Sequence, residues 1–326
     1  MMKTHTKPLI AGISKPLSQL AQGTAFCTID GKEACFDLLD HYIEVGGTVI
    51  DTARGYSTSE AVLGLWLEAR STRDQIVLVT KCGLRGGRVL PADNFPEVVR
   101  EELTISLQTL RTDYIDVYLL HRDNQMMTVA EILDPLNREI VHGRVHVIGA
   151  SNWEYRRVTE ANEYAYKHGL KGFAVVSNTI SLALPAASFY AGLVSTDQTG
   201  ERWHEETGIP LMPWSSQARG FFTGQYTPQM RDAPARTAPE TETFTSRMLT
   251  CYCTDENFER LNRAKELGER KGGYTAVEVA LAWLLHKPFP IVPIVGPRTK
   301  EEVASCVKAL SLSLTESEIR WLDLEM

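Results

Sequence analysis

From residue 17 onward the chain alternates between short apolar runs rich in β-branched residues and longer segments whose apolar residues recur every three or four positions. This alternation is the strongest constraint in the sequence, because a strand, a helix and a second strand share one sheet only through a parallel crossover. The spacing predicts strands at about Leu17–Thr24, Thr48–Asp51, Ile76–Lys81, Ile115–His121, Val145–Ala150, Phe173–Asn178, Leu211–Ser215 and Ile291–Val295. Eight is the number that closes a (β/α)8 TIM barrel, so the predicted class is α/β with one such barrel. Between the strands, the sets Cys35/Leu38/Leu39/Tyr42, Val62/Leu65/Trp66/Ala69, Val129/Ile132/Leu133/Leu136 and Val277/Ala280/Leu281/Leu284 each place an apolar stripe on one side of a helix. Gly46–Gly47, Pro96 and Gly143 stand where those helices stop or start.

No fixed-period repeat and no linker divides the 326 residues, so residues 1–326 read as a single barrel domain. The Pro- and Thr-rich stretch 225–253 breaks the rhythm and is predicted as a long loop on the catalytic face. The sequence contains no apolar run long enough to cross a bilayer, and Met1 to Pro16 lacks the pattern of a secretory signal, which predicts a cytoplasmic protein. With 34 basic against 41 acidic residues, a general affinity for nucleic acid or anionic membranes is not expected, and a small-molecule partner fits better. The expected assembly is a monomer or small homo-oligomer. The six cysteines lack paired zinc spacing and are expected to be reduced thiols.

Three predicted strands end in an ionisable residue: Asp51, Lys81 and His121. In a barrel of this kind the carboxyl ends of the strands surround the catalytic mouth, so groups distant in sequence converge there. Tyr56 follows Asp51 by five residues, close enough for the intervening loop to return it to the same mouth. The ordered set Asp51-Thr-Ala-x-x-Tyr56, Thr-Lys81 and Leu-His121 resembles the tetrad of the aldo-keto reductase family. The likeness runs from about Gln22 to Leu310 and takes in Gly149-Ala-Ser-Asn152, Trp214-Ser-Ser-Gln-Ala-Arg-Gly220 and Gly296-Pro-Arg298. It implies reduction of an aldehyde or ketone, or oxidation of the corresponding alcohol, by hydride transfer with a nicotinamide cofactor and without metal.

The residue types suit that chemistry. Carbonyl reduction leaves a developing oxyanion for the protein to neutralise, and Tyr56 can supply the proton as general acid, acting as base in reverse. The Lys81 ammonium would ease that transfer by stabilising phenolate, Asp51 would keep Lys81 charged against burial, and His121 would hold the substrate oxygen.

No Gly-x-Gly-x-x-Gly opens a βαβ unit, so a Rossmann site has no support. The resemblance instead implies that Ser151 and Asn152 orient the nicotinamide carboxamide and that Ser215, Gln217, Arg219 and Gly220 run along the pyrophosphate. It also places Gly23, Thr24, Ser177, Trp214 and Gly296 at the cofactor. Arg298, before a helix N-terminus, suits a 2′-phosphate and favours NADP(H) over NAD(H), or is a solvated surface arginine. The sequence departs from the family at Glu302, Ser305 and Cys306, where relatives often carry Gln or Arg, Glu and Asn near the adenine. It departs again at Ser177 and Ile180, which stand where many have Gln and an aromatic ring. Cys82 is expected to face away from Lys81 as a core thiol, whereas Trp153, Phe221 and Phe222 either line the substrate pocket or pack the rim. Two other functions remain in play: a nicotinamide-binding regulatory or sensing subunit with little turnover, and a Schiff-base lyase using Lys81 as nucleophile.

Overall fold

The structure, a computed structural model, describes residues 1–2, 9–85, 88–89, 93–232 and 243–326. Seven strands form one parallel sheet: β1 (Ala21–Gly23), β2 (Val49–Asp51), β3 (Val77–Cys82), β4 (Ile115–Leu120), β5 (Val145–Ser151), β6 (Phe173–Ser177) and β7 (Ile294–Val295). Their order in space is β6-β5-β4-β3-β2-β1-β7. Leu211 spans the remaining gap, pairing in parallel with Val176 on one side and Ile291 on the other. The sheet therefore closes on itself as an eight-staved α/β barrel.

Prolines explain why the last two staves contain so little regular strand. Pro210, Pro213, Pro290 and Pro293 have no N–H to donate, yet each still accepts. Leu211 N–H donates to Pro290 O at 2.9 Å, Ile294 N–H to Pro213 O at 3.0 Å and Ala21 N–H to Pro293 O at 2.9 Å. The barrel thus closes through bonds that run one way where proline stands.

Side-chain alternation sorts the apolar residues into two cores. Val49, Val77, Val79, Val117, Leu119, Val147 and Val175 share an inner cluster, whereas Ile50, Leu78, Tyr118, Leu120, Ile148 and Val176 belong to an outer cluster with the helices. Continuing the inner sets by two residues gives Asp51, Lys81, His121 and Ser177, and by four, through Gly149, Ser151, so the barrel's interior changes from apolar to polar at its carboxyl end. Gly149 falls within this inner series, where a Cβ would lie 2.5 Å from Leu119 and 2.6 Å from Val175.

Residues 9–17, which meet the first predicted strand only at Leu17, supply a floor: Ile10, Ile13 and Leu17 join the inner cluster. Beside them Asp116, 1% exposed, sits 2.9 Å from Lys15 and 2.8 Å from Arg73, and accepts the Leu78 N–H at 3.0 Å.

Two expectations change. The 225–253 stretch contains helices Pro228–Asp232 and Phe244–Tyr252, and residues 233–242 lie outside the described residues. A capping box explains the second helix, because the Thr243 hydroxyl accepts the Ser246 N–H while the Ser246 hydroxyl accepts the Thr243 N–H. Nor are all the cysteines free. Cys27 and Cys35 form a disulfide, with Cα atoms 5.9 Å apart, where the loop after β1 folds back on helix Lys32–Glu44. Metal spacing could not reveal that pairing. The other four cysteines are free and buried.

Asp116→Asn leaves Lys15 and Arg73 adjacent without their counter-charge. We expect it to cost about 2 kcal/mol, between the values for exposed and buried pairs. Urea unfolding checks this, and an unchanged midpoint contradicts it.

Candidate active site

The loop carrying Tyr56 is fixed before any ligand enters. The Thr24 hydroxyl donates to Asp51 O at 2.9 Å, and the Ser59 hydroxyl lies 2.8 Å from that of Thr24 and 2.9 Å from that of Thr52. Past the end of β2, Thr52 N–H donates to Val79 O at 2.9 Å and Arg54 N–H to Lys81 O at 3.0 Å. A turn closed by Tyr56 N–H on Ala53 O, at 2.9 Å, then brings the phenol back over the mouth. Thr24, expected at the cofactor, is 1% exposed, and its hydroxyl belongs to this knot.

Lys81 is 1% exposed, and its ammonium donates to Asp51 Oδ1 at 2.5 Å and to Thr52 O at 2.9 Å. The Tyr56 ring centroid lies 5.0 Å from Nζ, so the charge stands against the phenol. An ammonium can only donate, so toward Lys81 the Tyr56 oxygen can act only as an acceptor and keeps its own O–H. Burial works against the Lys81 charge, but Asp51 and Tyr56 hold its pKa above the ordinary lysine value. That cation is a poor nucleophile, which argues against Schiff-base chemistry. Burial pushes the carboxyl of Asp51 up, opposed by Lys81. Burial also raises the phenol of Tyr56, opposed first by Lys81 and more weakly by Arg219.

His121 meets Tyr56 edge to face, with ring centroids 5.5 Å apart. Burial, helped by Lys81 and Arg122, lowers its pKa to about 3, so at neutral pH it is an uncharged imidazole. Its Nδ1 is buried without a hydrogen-bond partner. Two acidic residues on helix faces, which the sequence reading missed, brace β3 from outside. Glu60 accepts the Thr80 hydroxyl at 2.7 Å, and Glu102 accepts the Gly83 N–H at 3.0 Å. Their signal was a carboxylate set within an otherwise apolar stripe. Cys82 lies in the outer core, as alternation predicts, and burial pushes its thiol up to about 12.

A continuous rim leads away from His121. Asn152, with φ of 58°, donates to His121 O at 3.2 Å and to the Ser151 hydroxyl at 3.0 Å, while its Oδ1 accepts the Val194 N–H at 3.2 Å. The Ser151 hydroxyl donates to Ser177 O at 2.9 Å, and the Ser177 hydroxyl itself is buried without a partner. Then comes Trp214, half-buried, its indole nitrogen likewise unpartnered. Beyond it Ser215, Ala218, Arg219 and Gly220 all have positive φ, at 52°, 49°, 53° and 86°. Strain of this kind collects at ligand clamps. Gln217 reaches Cys306 Sγ at 3.8 Å, linking the segment to the helix Lys300–Ala309 that follows Arg298.

Other expected cofactor residues have less room or a different partner. Gly23 lies within β1, where a Cβ would stand 3.2 Å from Val295 O. Gly296 is exposed with open space about it. Arg298 is exposed, its guanidinium 5.6 Å from the Phe26 ring, and its backbone N–H donates to Glu302 at 2.6 Å. Ser305 turns to Glu278, 2.9 Å away, and so cannot replace a family Glu at the adenine by direct contact. Ile180 is 5% exposed in the outer core. Trp153, Phe221 and Phe222 are all buried there too, so the choice left open for them resolves as packing.

The match to known proteins agrees with this geometry. Residues 21–324 fit the model of the aldo/keto reductase family, and the chain belongs to that family of oxidoreductases. It is 33% identical over 299 residues to a norsolorinic acid reductase of Emericella nidulans, covering 88% of this chain and 70% of that protein. It is 28% identical to a probable aryl-alcohol dehydrogenase of Saccharomyces cerevisiae, covering 90% and 87%. An aryl-alcohol dehydrogenase [NADP(+)] of Phanerodontia chrysosporium is 29% identical, covering 90% and 76%.

Two buried histidines set an acid limit on the fold. His121 and His204 have pKa values lowered, chiefly by burial, to about 3 and about 4, against 6.5 in the unfolded chain. Their contribution is fully present above pH 6.5 and lost as the unfolded state takes up protons below it, at up to about 1.4 kcal/mol per pH unit for each. Thermal unfolding from pH 7.5 to 5 should show Tm falling below 6.5, with a shallower fall in His121→Gln. Equal slopes in the two proteins contradict the assignment.

Proposed function

We propose that the chain is an NADP(H)-dependent oxidoreductase that reduces an aldehyde or ketone, or oxidises the corresponding alcohol, with Tyr56 as general acid or base. The observation that carries this reading is the Lys81 ammonium, held by Asp51 and the Thr52 carbonyl with the Tyr56 ring centroid 5.0 Å away. Because an ammonium can only donate, it leaves the phenolic proton for a substrate oxygen. His121 is a neutral donor beside Tyr56, so a carbonyl oxygen held between the two rings would meet two neutral donors. The hydride would come from a bound nicotinamide.

The chain's residues fit such a cofactor in most respects. Ser177 offers an orphaned hydroxyl on the inner face, Trp214 supplies a flat surface where Ile180 does not, and the segment 215–220, with four left-handed residues, suits a pyrophosphate. Ser151 and Asn152 would hold the carboxamide, with Asn152 exchanging one of its present bonds. The relative whose name includes NADP(+) supports the phosphorylated form, as does Arg298. Glu302 opposes it, since its carboxylate already occupies the Arg298 amide that a 2′-phosphate would seek. The aryl-alcohol dehydrogenases among the relatives support aromatic aldehydes as substrates to try first. One barrel domain, in the cytoplasm, acting on a small molecule without nucleic acid or membrane, completes the proposal.

Tyr56→Phe is expected to lower the rate of NADPH oxidation with an aromatic aldehyde by about 10² to 10⁴ while NADPH binding persists. Retention of wild-type turnover removes Tyr56 from the chemistry, and NADPH binding without turnover in the wild type removes the enzymatic reading. Glu302→Gln should shift the ratio of NADPH to NADH affinity toward NADPH by about tenfold, the worth of one charged contact. Fluorescence titration with the two cofactors reads this, and an unmoved ratio places the 2′-phosphate elsewhere.

A further inference from the structure

The mechanism above leaves two cations at the mouth unused, Arg219 and Arg122. The Arg219 guanidinium lies 4.1 Å from the Phe189 ring centroid, 5.5 Å from that of Trp214 and 5.8 Å from that of Tyr190. Arg122 follows His121 directly and donates to Gly192 O at 3.2 Å. Among the described residues, neither arginine is paired with a carboxylate. Both are half-buried, and both are close enough for their charge to act on the Tyr56 phenol.

Packing accounts for only part of this. A guanidinium stacked on rings is satisfied through its faces, but its donors lie in the plane and need acceptors at the edge. The Nε of Arg219 is buried and has none. A charged group partly stripped of water with no counter-ion is an expensive arrangement unless something else brings the counter-charge. The backbone of 215–220 is the part proposed for the dinucleotide. The Arg219 side chain leaves that path for Phe189 and Tyr190, which precede helix Gln198–Thr207. A planar anion on a flat body matches what is on offer, a fork of donors bordered by rings.

We infer that Arg219 and Arg122, which both reach the 189–192 stretch, form a carboxylate-binding subsite, so that the preferred substrates are aldehydes or ketones whose flat body carries a carboxylate away from the reacting carbon. The inference rests on the proposed carbonyl chemistry at Tyr56 and can fail separately from it. Aldehyde, hydride source and proton donor are unchanged by it; only recognition is added.

The test compares 4-formylbenzoate with its methyl ester, which present the same aldehyde with and without the charge. Wild type should favour the carboxylate in kcat/KM by about tenfold or more, and in Arg219→Gln the preference should fall to about twofold or less. Arg219→Lys, which keeps the charge but not the fork, should retain an intermediate preference. Arg122→Gln reports independently should the first variant not fold. Tryptophan fluorescence with 4-(hydroxymethyl)benzoate and its methyl ester reads the same preference as binding, without turnover. Equal kcat/KM for the two aldehydes overturns the subsite while leaving the enzyme intact. Tighter binding of the carboxylate with no reduction of either aldehyde keeps the subsite and overturns the enzymatic reading. A preference that survives in Arg219→Gln while NADPH affinity drops assigns the guanidinium to the cofactor and also overturns the proposal.

Discussion

The site depends on a buried ammonium held by two acceptors against a phenol. Lys81 is enclosed by the barrel and by the loop after β2, and burial alone would drive it toward the neutral amine. Asp51 and the Thr52 carbonyl, with the Tyr56 phenol alongside, reverse that tendency. The consequence is directional. Because an ammonium can only donate, the phenolic proton is not drawn toward Lys81 and is left for another partner. Removing Asp51 would leave Lys81 desolvated beside two neutral partners, and the phenol would lose the cation that opposes its burial.

The barrel makes this arrangement possible through a period of two. Valines at 49, 77, 79, 117, 147 and 175 fill the interior, and the same alternation delivers Asp51, Lys81, His121, Ser151 and Ser177 at its carboxyl end. Residues 9–17 seal the opposite end, and Asp116 with Lys15 and Arg73 ties that floor to the sheet. Bracing continues outside the barrel, where Glu60 and Glu102 hold the residues flanking Lys81. Position is therefore set from both faces of β3, and the site can be assembled before a ligand arrives.

Much of this was legible in the chain. Inner and outer residues follow from alternation, and the strand-end positions of Asp51, Lys81 and His121 follow with them. Tyr56 needed the ordered motif, because five residues of loop do not by themselves specify a return. The floor was missed because Ile10 and Ile13 lie in no periodic segment. Leu211 and Ile291 were found as strands, but their single bridges reflect prolines whose missing donors only a paired partner reveals. Glu60 and Glu102 looked like ordinary helix carboxylates until Thr80 and Gly83 were seen to face them. The Cys27–Cys35 bond required knowing how the loop after β1 turns back.

The most direct test is a carbon-13 NMR titration of tyrosines labelled at Cζ, with Tyr56→Phe to assign the Tyr56 signal. Removing the ammonium in Lys81→Met should move the Tyr56 titration to still higher pH, because the cation that opposes burial is gone. A Tyr56 titration that stays in place without Lys81 would show that the ammonium does not act on the phenol, and the account of proton delivery would fail with it.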